Sequence, residues 1–585
     1  MSMSMMRDET AGGDTGKDDA LWAERFWCKH YAPGVPETID DELAKWPSLA
    51  RLFEADAQRF ADRVGFVAIG TEITYGRMLS EARAFASWLV QNGLRPGERV
   101  ALMMPNCLQY PAALFGTLFA GGVVVNVNPL YTPHELQHQL RDSGAVVVVV
   151  MEMFAATLEK ALPGTDVRLS VTTAMGDMLG GLKGFAITAA IRHVKRLVPR
   201  YDLGAGRRRW KNVMRQGRKL PFRMVERQPE DLAFLQYTGG TTGAAKGAML
   251  SNRNVVANVL QGRAWGLGRM EAADGISNVT MLPLYHIFSL TANLLMFTGV
   301  GGRNILIANP RDTDMVVRIL RKENFSCFAG VNTLFSSLMN NEEFCKRNFS
   351  KLQMTISGGM AAQTEVAQRW QKITGAPFIE GYGMTETSPV VSVGYIDYDH
   401  PEKMGFTGKV GFPVPSTEVR MRRPDGSWCG IGEAGELCVR GPQVMQGYWN
   451  RPDETAKVMI GDGWLATGDI GVMDENGEIK LVDRIKDMVL VSGFNVYPSE
   501  VEDVIASHPA VREVAVIGVP DDHGAEMVKA IVVLRDGAVA TQAEIIRHCR
   551  GQLTGYKIPR AVAFRTEPLP KTPVGKVLKR ELRGS

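Results

Sequence analysis

From Arg99 onward the chain alternates runs of β-branched residues with helical patterns, and this alternation constrains the fold more than any other feature. The runs VALMM, GVVVNVN and AVVVVV are separated by helical spacing that begins near Leu108 and near Pro133. Parallel strands need crossovers of a dozen or more residues, usually helices, so this rhythm predicts βαβ units and a mostly parallel sheet. The uncharged stretch from Val100 to Pro133 is long enough to cross a bilayer. Pro105, Pro111, Gly116, Gly121 and Gly122 cut it into short pieces, however, and it reads as strand, helix, strand in a buried core. Sheets of this kind place ligands at the loops leaving the carboxyl ends of strands. Polar, glycine-rich loops of that sort lie between Gly239 and Asp469.

At 585 residues the chain exceeds what one hydrophobic core serves. The expected class is α/β: a large composite N-terminal domain of mixed and parallel sheets packed with helices, followed by a small, mobile α+β C-terminal domain. The small domain shows a helix from Pro498, strands VAVIGV and AIVVL, a helix from Thr541 and a strand near Val562. The boundaries read as 1–44 for a partly disordered leader, 45–485 for the large domain and 486–585 for the small one. Met1 to about Asp19 is polar and acidic, without the basic start and apolar run of a signal peptide. The seven cysteines are scattered, and the nearest two, Cys429 and Cys438, are nine residues apart, which predicts reduced thiols in a cytoplasm and no zinc site. A net charge of +4 on so long a chain gives no reason to expect nucleic acid.

The segment 183–223 is locally basic, with Arg192, Lys195, Arg196, Arg200, Arg207, Arg208, Arg209, Lys211, Arg215, Arg218 and Lys219 against one acid, Asp202. Its first part, FAITAAIRHVKRLV, has apolar residues at helical spacing. It reads either as an amphipathic helix resting peripherally on the anionic inner membrane or as a solvated surface insertion.

The strongest motif is YTGGTTGAAKG, Tyr237 to Gly247, directly after the apolar run LAFLQ. Glycines allow close backbone approach, threonine hydroxyls and backbone N–H groups donate hydrogen bonds, and Lys246 adds positive charge, so the loop is built to wrap phosphate oxygens. It is not a Walker A loop, because no glycine immediately precedes Lys246.

With this loop the chain resembles the adenylate-forming superfamily of acyl-CoA synthetases, luciferases and peptide-synthetase adenylation domains. Further landmarks follow in the family's order: LPLYHIF, SGGM, GYGMTETSP, GELCVRGPQVMQGYW, GWLATGDIG, DRIKDMVLVSGFNVYPSEVE and PKTPVGKV. The stretches MMPNCLQYPAALFG and VVNVNPLYTPHELQHQL look like the bacterial long-chain fatty-acid ligases within it. The resemblance implies ATP, Mg²⁺, coenzyme A and a long-chain fatty acid as ligands, and formation of an acyl-CoA through an acyl-adenylate. It leaves a homodimer open.

Residue by residue, the resemblance implies that Tyr237, Thr238, Gly239, Gly240, Thr241, Thr242, Gly243 and Lys246 hold phosphates. Glu386 with Thr238 would hold the metal, a hard oxygen pair suited to Mg²⁺. Gly358, Gly359, Gly381, Tyr382, Gly383 and Thr385 would surround adenine, and Asp469 and Arg484 the ribose. Lys576 is implied as the mobile lysine of adenylation, Lys486 as the hinge, and Gly493 and Phe494 as lining the coenzyme A channel. His286 and the run IFSLTANLLMF stand where the family builds its acyl pocket. Taken alone, several of these have plainer readings: Asp469 as a turn cap, Lys576 as solvated surface, His286 as a core histidine. No carboxylate occurs between Met281 and Gly302, so an amino-acid substrate would leave its ammonium unpaired. The remaining alternatives are a medium-chain or aryl acid ligase and a non-catalytic nucleotide-binding regulator. Leu290 stands near the position of an aromatic gate described in some relatives, and Ala466 replaces a histidine usual two residues before Gly468.

Overall fold

The computed structural model describes residues 22–238, 245–270, 275–491, 494–520, 526–572 and 575–583. Gly239, Gly240, Thr241, Thr242, Gly243, Gly493 and the first part of the expected leader lie outside the described residues.

Two sheets form the body of the large domain. The strands Arg99–Met103, Val123–Asn126, Ala145–Met151, Leu169–Thr173, Arg207–Arg209 and Leu232–Thr238 pair in parallel, and Lys246–Ser251 closes this seven-stranded sheet antiparallel to Leu232–Thr238. The expected strand, helix, strand over Val100 to Pro133 is present, and the helix Gln109–Phe119 between the two strands is buried along its whole length. The next helix, Pro133–Ser143, starts on a capping box between Thr132 and Glu135 and stops at Gly144, whose φ of 59° suits glycine.

A nine-stranded sheet carries Met354–Ser357, Cys327–Gly330, Ser277–Thr280 and Arg303–Leu306 in parallel at its centre, flanked by Phe378–Gly383. A five-stranded antiparallel sheet, including Gly435–Arg440, Trp464–Met473 and Ile479–Arg484, completes the large domain. The small domain has its own apolar core, built on the antiparallel pair Val511–Pro520 and Glu526–Leu534, the parallel strand Ala561–Arg565 and the helices Pro498–Ala506 and Gln542–Arg550. These are the elements read from the sequence of that region.

Of the leader expected over 1–44, the described part is residues 22–44. From Trp22 the chain is packed on the large domain: Trp22, Phe26 and Trp27 are buried, Tyr31 Oη donates to the Pro413 carbonyl at 2.5 Å, and the Ile39 N–H donates to Ser416 Oγ at 2.9 Å. Trp27 lies against Gly477, where a Cβ would come within 2.2 Å of the tryptophan's own. Such tethers satisfy the backbone of an irregular segment and bury its aromatic surface, which is why it is ordered despite lacking periodicity.

In the basic segment the helix Gly181–Ala189 continues as the π-helical turn Ala190–Val194, and Leu182, Phe185 and Val194 point outward at 88%, 72% and 80% exposure. Arg192 anchors this element through a fork of hydrogen bonds to the buried Glu152 carboxylate, the shortest 2.6 Å. Among the described residues no helix is long and apolar enough to cross a membrane.

Candidate active site

The three sheets of the large domain converge on one cleft, and the small domain inserts a lysine into it. Tyr237 and Thr238 end a strand of the seven-stranded sheet, with Thr238 in register with Lys246 across the loop whose glycines lie outside the described residues. Tyr237 Oη donates to Asp142 Oδ2 at 2.7 Å. Gly381, Tyr382 and Gly383 end a strand of the nine-stranded sheet. At Gly383 a Cβ would stand 1.8 Å from the Pro389 carbonyl oxygen, so only glycine fits. Gly359 adopts a φ of +78° in open space, and a Cβ at Gly358 would touch the Phe288 ring at 3.0 Å. Gly381 is under no such constraint, since a Cβ there would make only ordinary contacts.

The five-stranded sheet supplies Asp469 and Arg484, which face each other in register. Asp469 accepts from Tyr382 Oη at 2.8 Å through one oxygen and pairs with Arg484 Nε at 3.2 Å through the other. Glu386 follows Thr385 in a short 3₁₀ turn and is buried. Its carboxyl is pushed up by burial, offset in part by the hydroxyl of Tyr448, which donates to Oε1 at 2.6 Å. Lys246 lies 5.0 Å over the Tyr448 ring and ion-pairs with Glu454, whose carboxyl this pairing holds down to about 2. Tyr448 and Glu454 were not singled out from the sequence. The GYW motif was visible, but nothing in the residue pattern tied Tyr448 to a carboxylate sixty-two positions earlier.

Lys576 comes from the small domain's last loop. Burial pushes its ammonium down to about 7, with Arg484 and Lys486 adding repulsion that Asp469 and Asp487 only partly offset. His286 is held down to about 4 by burial and by the proximity of Lys576, and its Nδ1 accepts from the Phe288 N–H at 3.3 Å, so the ring is neutral at pH 7. Lys486 is itself lowered by burial and by Arg484. The structure therefore brings together Thr238, Lys246, Glu386, Tyr382, Asp469, Arg484, His286, Lys486 and Lys576. Phe494 stands apart: it is 56% exposed on the hairpin strand Phe494–Val496, with its ring stacked 4.8 Å from that of Tyr556 in the same small domain.

From this cleft a cavity with about 940 Å³ of space between its atoms, mouth included, runs beneath His286, Gly358 and Tyr382 toward Met354, Cys327, Gly266 and Ile396. Among the described residues its wall is apolar apart from amide, hydroxyl, thiol, indole and imidazole groups and carries no carboxylate, ammonium or guanidinium. Such a tunnel suits a long hydrocarbon with its polar head at the Lys576 end.

The donor set also accommodates a magnesium ion. Glu386 offers a carboxylate and Thr238 a hydroxyl, both hard oxygen ligands. Among the described residues no cluster of three or more His, Cys, Asp or Glu forms a closed metal cage. One or two protein oxygens beside substrate phosphates is how Mg²⁺ is commonly held.

Comparison with known proteins agrees with this geometry. A family model described as AMP-binding enzyme matches residues 53–449, and one described as AMP-binding enzyme C-terminal domain matches residues 500–576. The chain is 50% identical over 561 residues to a long-chain-fatty-acid–CoA ligase of Yersinia pestis, covering 96% of this chain and 98% of that protein. It is equally similar, with the same coverage, to the long-chain-fatty-acid–CoA ligase of Escherichia coli O157:H7. Among solved structures, ATP-bound MatB from Rhodopseudomonas palustris superposes with a TM-score of 0.75 at 28% identity, over 92% of this chain and 98% of that one. With two family models spanning most of the chain and near full-length relatives at half identity, the chain belongs to the AMP-binding enzyme family of adenylate-forming ligases.

Proposed function

We propose that this chain is a long-chain fatty acid–CoA ligase, converting ATP, a fatty acid and coenzyme A to acyl-CoA, AMP and diphosphate. The observation that carries the reading is the charge-free tunnel opening beside a buried, partly deprotonated lysine. In the first half-reaction a carboxylate oxygen attacks the α-phosphorus of ATP, and the bond to diphosphate breaks. In the second, the coenzyme A thiolate attacks the acyl carbon and AMP departs. Two anions must meet in the first step, so cations aimed at the developing charge contribute most.

Lys576 is the group placed to do this, its charge restored when a phosphate or carboxylate oxygen comes beside it. Lys246 leaves Glu454 for the phosphates. Asp469 accepts from the ribose hydroxyls while Arg484 holds it in place, and Tyr382 offers its ring to adenine. His286, neutral, bounds the site of the carboxyl head without adding charge. Mg²⁺, held by Glu386 and Thr238, would neutralise phosphate charge. Rotation at Lys486 then removes Lys576 and brings the Gly493 and Phe494 region toward the cleft for thioester formation.

The exposed Leu182, Phe185 and Val194 beside the arginines of 183–223 suit peripheral contact with an anionic bilayer, the source of the fatty acid, for a chain working in the cytoplasm. Purified protein given ATP, Mg²⁺, coenzyme A and oleate should release AMP and oleoyl-CoA in equal amounts. Release of neither would defeat the reading.

A further inference from the structure

A single side chain, Tyr448, touches both of the opposite charges on which the phosphate site depends. Its hydroxyl donates to Glu386 Oε1 at 2.6 Å, and the Lys246 ammonium stands 5.0 Å over its ring. Tyr448 is 7% exposed and Glu386 6%, whereas the Lys246 side chain is 33% exposed and forms the open end of this group.

Tyr448 is itself fixed by the segment 445–451, which is tied on several sides. The Gln446 N–H donates to the Met249 carbonyl at 3.0 Å, the Met249 N–H to the Gly447 carbonyl at 2.9 Å, and the Trp449 N–H to the Gly247 carbonyl at 2.8 Å. The segment therefore runs antiparallel beside Lys246–Ser251, with Tyr448 opposite Ala248. Thr455 Oγ1 takes the Tyr448 N–H at 2.9 Å. Arg451 Nη2 donates to Asp142 Oδ1 and Trp449 Nε1 to the Asp142 carbonyl, each at 3.0 Å. The Met445 N–H donates to the Glu386 carbonyl at 2.8 Å, so the same segment is bound to the strand of Lys246 and to the backbone of Glu386. Glu386 sits in the single 3₁₀ turn Thr385–Thr387, which leaves its side chain free to turn about several bonds. A tyrosine turns about fewer, and one locked in a paired segment can hold a carboxylate oxygen still.

We infer that Tyr448 is a positioning residue for Mg²⁺ and the phosphates of ATP, acting through Glu386 by holding its carboxylate in the orientation that takes the metal. The inference rests on the ATP and Mg²⁺ part of the reading above and adds a residue that acts on the metal without touching it. Tyr448→Phe tests it, because phenylalanine keeps the ring under Lys246 and removes only the hydroxyl. Hydrogen-bond partners of metal-binding carboxylates are commonly worth roughly 10–100-fold in metal affinity. Calorimetry on the full-length protein should therefore show the Kd for ATP with saturating Mg²⁺ raised at least about tenfold in the variant. The Kd for AMP in EDTA should stay within about threefold of the unaltered protein and so report an intact nucleotide site. In the adenylation assay with oleate, the Mg²⁺ concentration giving half-maximal AMP release should rise at least about tenfold. Equal weakening of AMP and of ATP with Mg²⁺ would show a merely structural role and overturn the inference, as would an unchanged Mg²⁺ requirement. An unaltered protein that binds ATP with Mg²⁺ but forms no oleoyl-CoA would instead defeat the ligase reading, so the two failures are distinguishable.

Discussion

Leucine in place of Gly266 should shorten the chain length that the enzyme accepts, and the size of the effect follows from the tunnel's geometry. Gly266 lines the cavity beside Ile396, and a Cβ there would lie 3.1 and 3.2 Å from Ile396 Cγ2 and Cδ1. Its φ of −160° is not the left-handed conformation that demands glycine, so the substitution acts chiefly through added bulk. Leucine's outer carbons have nowhere to go except the tunnel. Met354, about 13 Å along its strand from Gly358 at the head end, stands at roughly the tenth carbon at about 1.3 Å per carbon, and Tyr398 Oη, 3.8 Å from Met354 Sδ, lies 3.6 Å from a Cβ at Gly266, so Gly266 is near that level. Palmitate extends six carbons beyond that, and displacing about four of them from apolar surroundings costs about 3 kcal/mol at ~0.8 kcal/mol per methylene. Since 1.36 kcal/mol is tenfold in rate, kcat/KM for palmitate should fall by about 150-fold, while that for decanoate stays within about threefold. Initial rates of AMP release across acids of eight to eighteen carbons provide the assay, and the decanoate rate reports whether the variant is folded. A fall of equal size for decanoate and palmitate, or none for palmitate, would refute the reasoning.

Lys576→Ala should lower acyl-adenylate formation by roughly 100-fold or more, as loss of a single transition-state donor often does. Thioester formation from preformed acyl-adenylate and coenzyme A should change much less, and equal losses in both assays would contradict the two-position reading. With Lys576 lowered to about 7 from its usual 10.5, the protonated and anion-binding form is lost as pH rises. Hence kcat/KM for ATP in the adenylation step should decline above pH 7, a limb absent from Lys576→Ala. Gly383→Ala drives a methyl group into the Pro389 carbonyl and should destabilise the large domain by about 1–3 kcal/mol, read as a lowered unfolding temperature. Replacing Arg207, Arg208 and Arg209 with alanine should weaken binding to anionic vesicles at low salt, with the difference vanishing at high salt, and unchanged binding would remove the membrane proposal.

Much of this was open to view in the residues themselves. The run from Val100 to Pro133 announced its strand, helix and strand because Pro105, Gly121 and Gly122 fall between the elements, although Pro111 and Gly116 lie within the helix, and Thr132, Pro133 and Glu135 spell a helix start by local chemistry alone. The site residues were legible through the order of their motifs and hardly at all one by one. What stayed hidden depends on contacts between residues distant in the chain. Trp22 to Leu43 has little periodicity, and its order comes from partners such as Pro413 and Gly477 more than 380 positions away. The hydroxyl of Tyr448 on Glu386 and that of Tyr237 on Asp142 join residues 62 and 95 positions apart, which no local pattern encodes.

The excess of cations around Lys576 has a thermodynamic corollary. A free enzyme that holds this amine near its midpoint at pH 7 must draw hydrogen ions from solution when a polyphosphate arrives and restores the charge. Nucleotide affinity is then coupled to acidity. Calorimetric heats of ATP association at pH 7.5 should shift with the ionisation enthalpy of the buffer, and that dependence should vanish where lysine 576 has been removed.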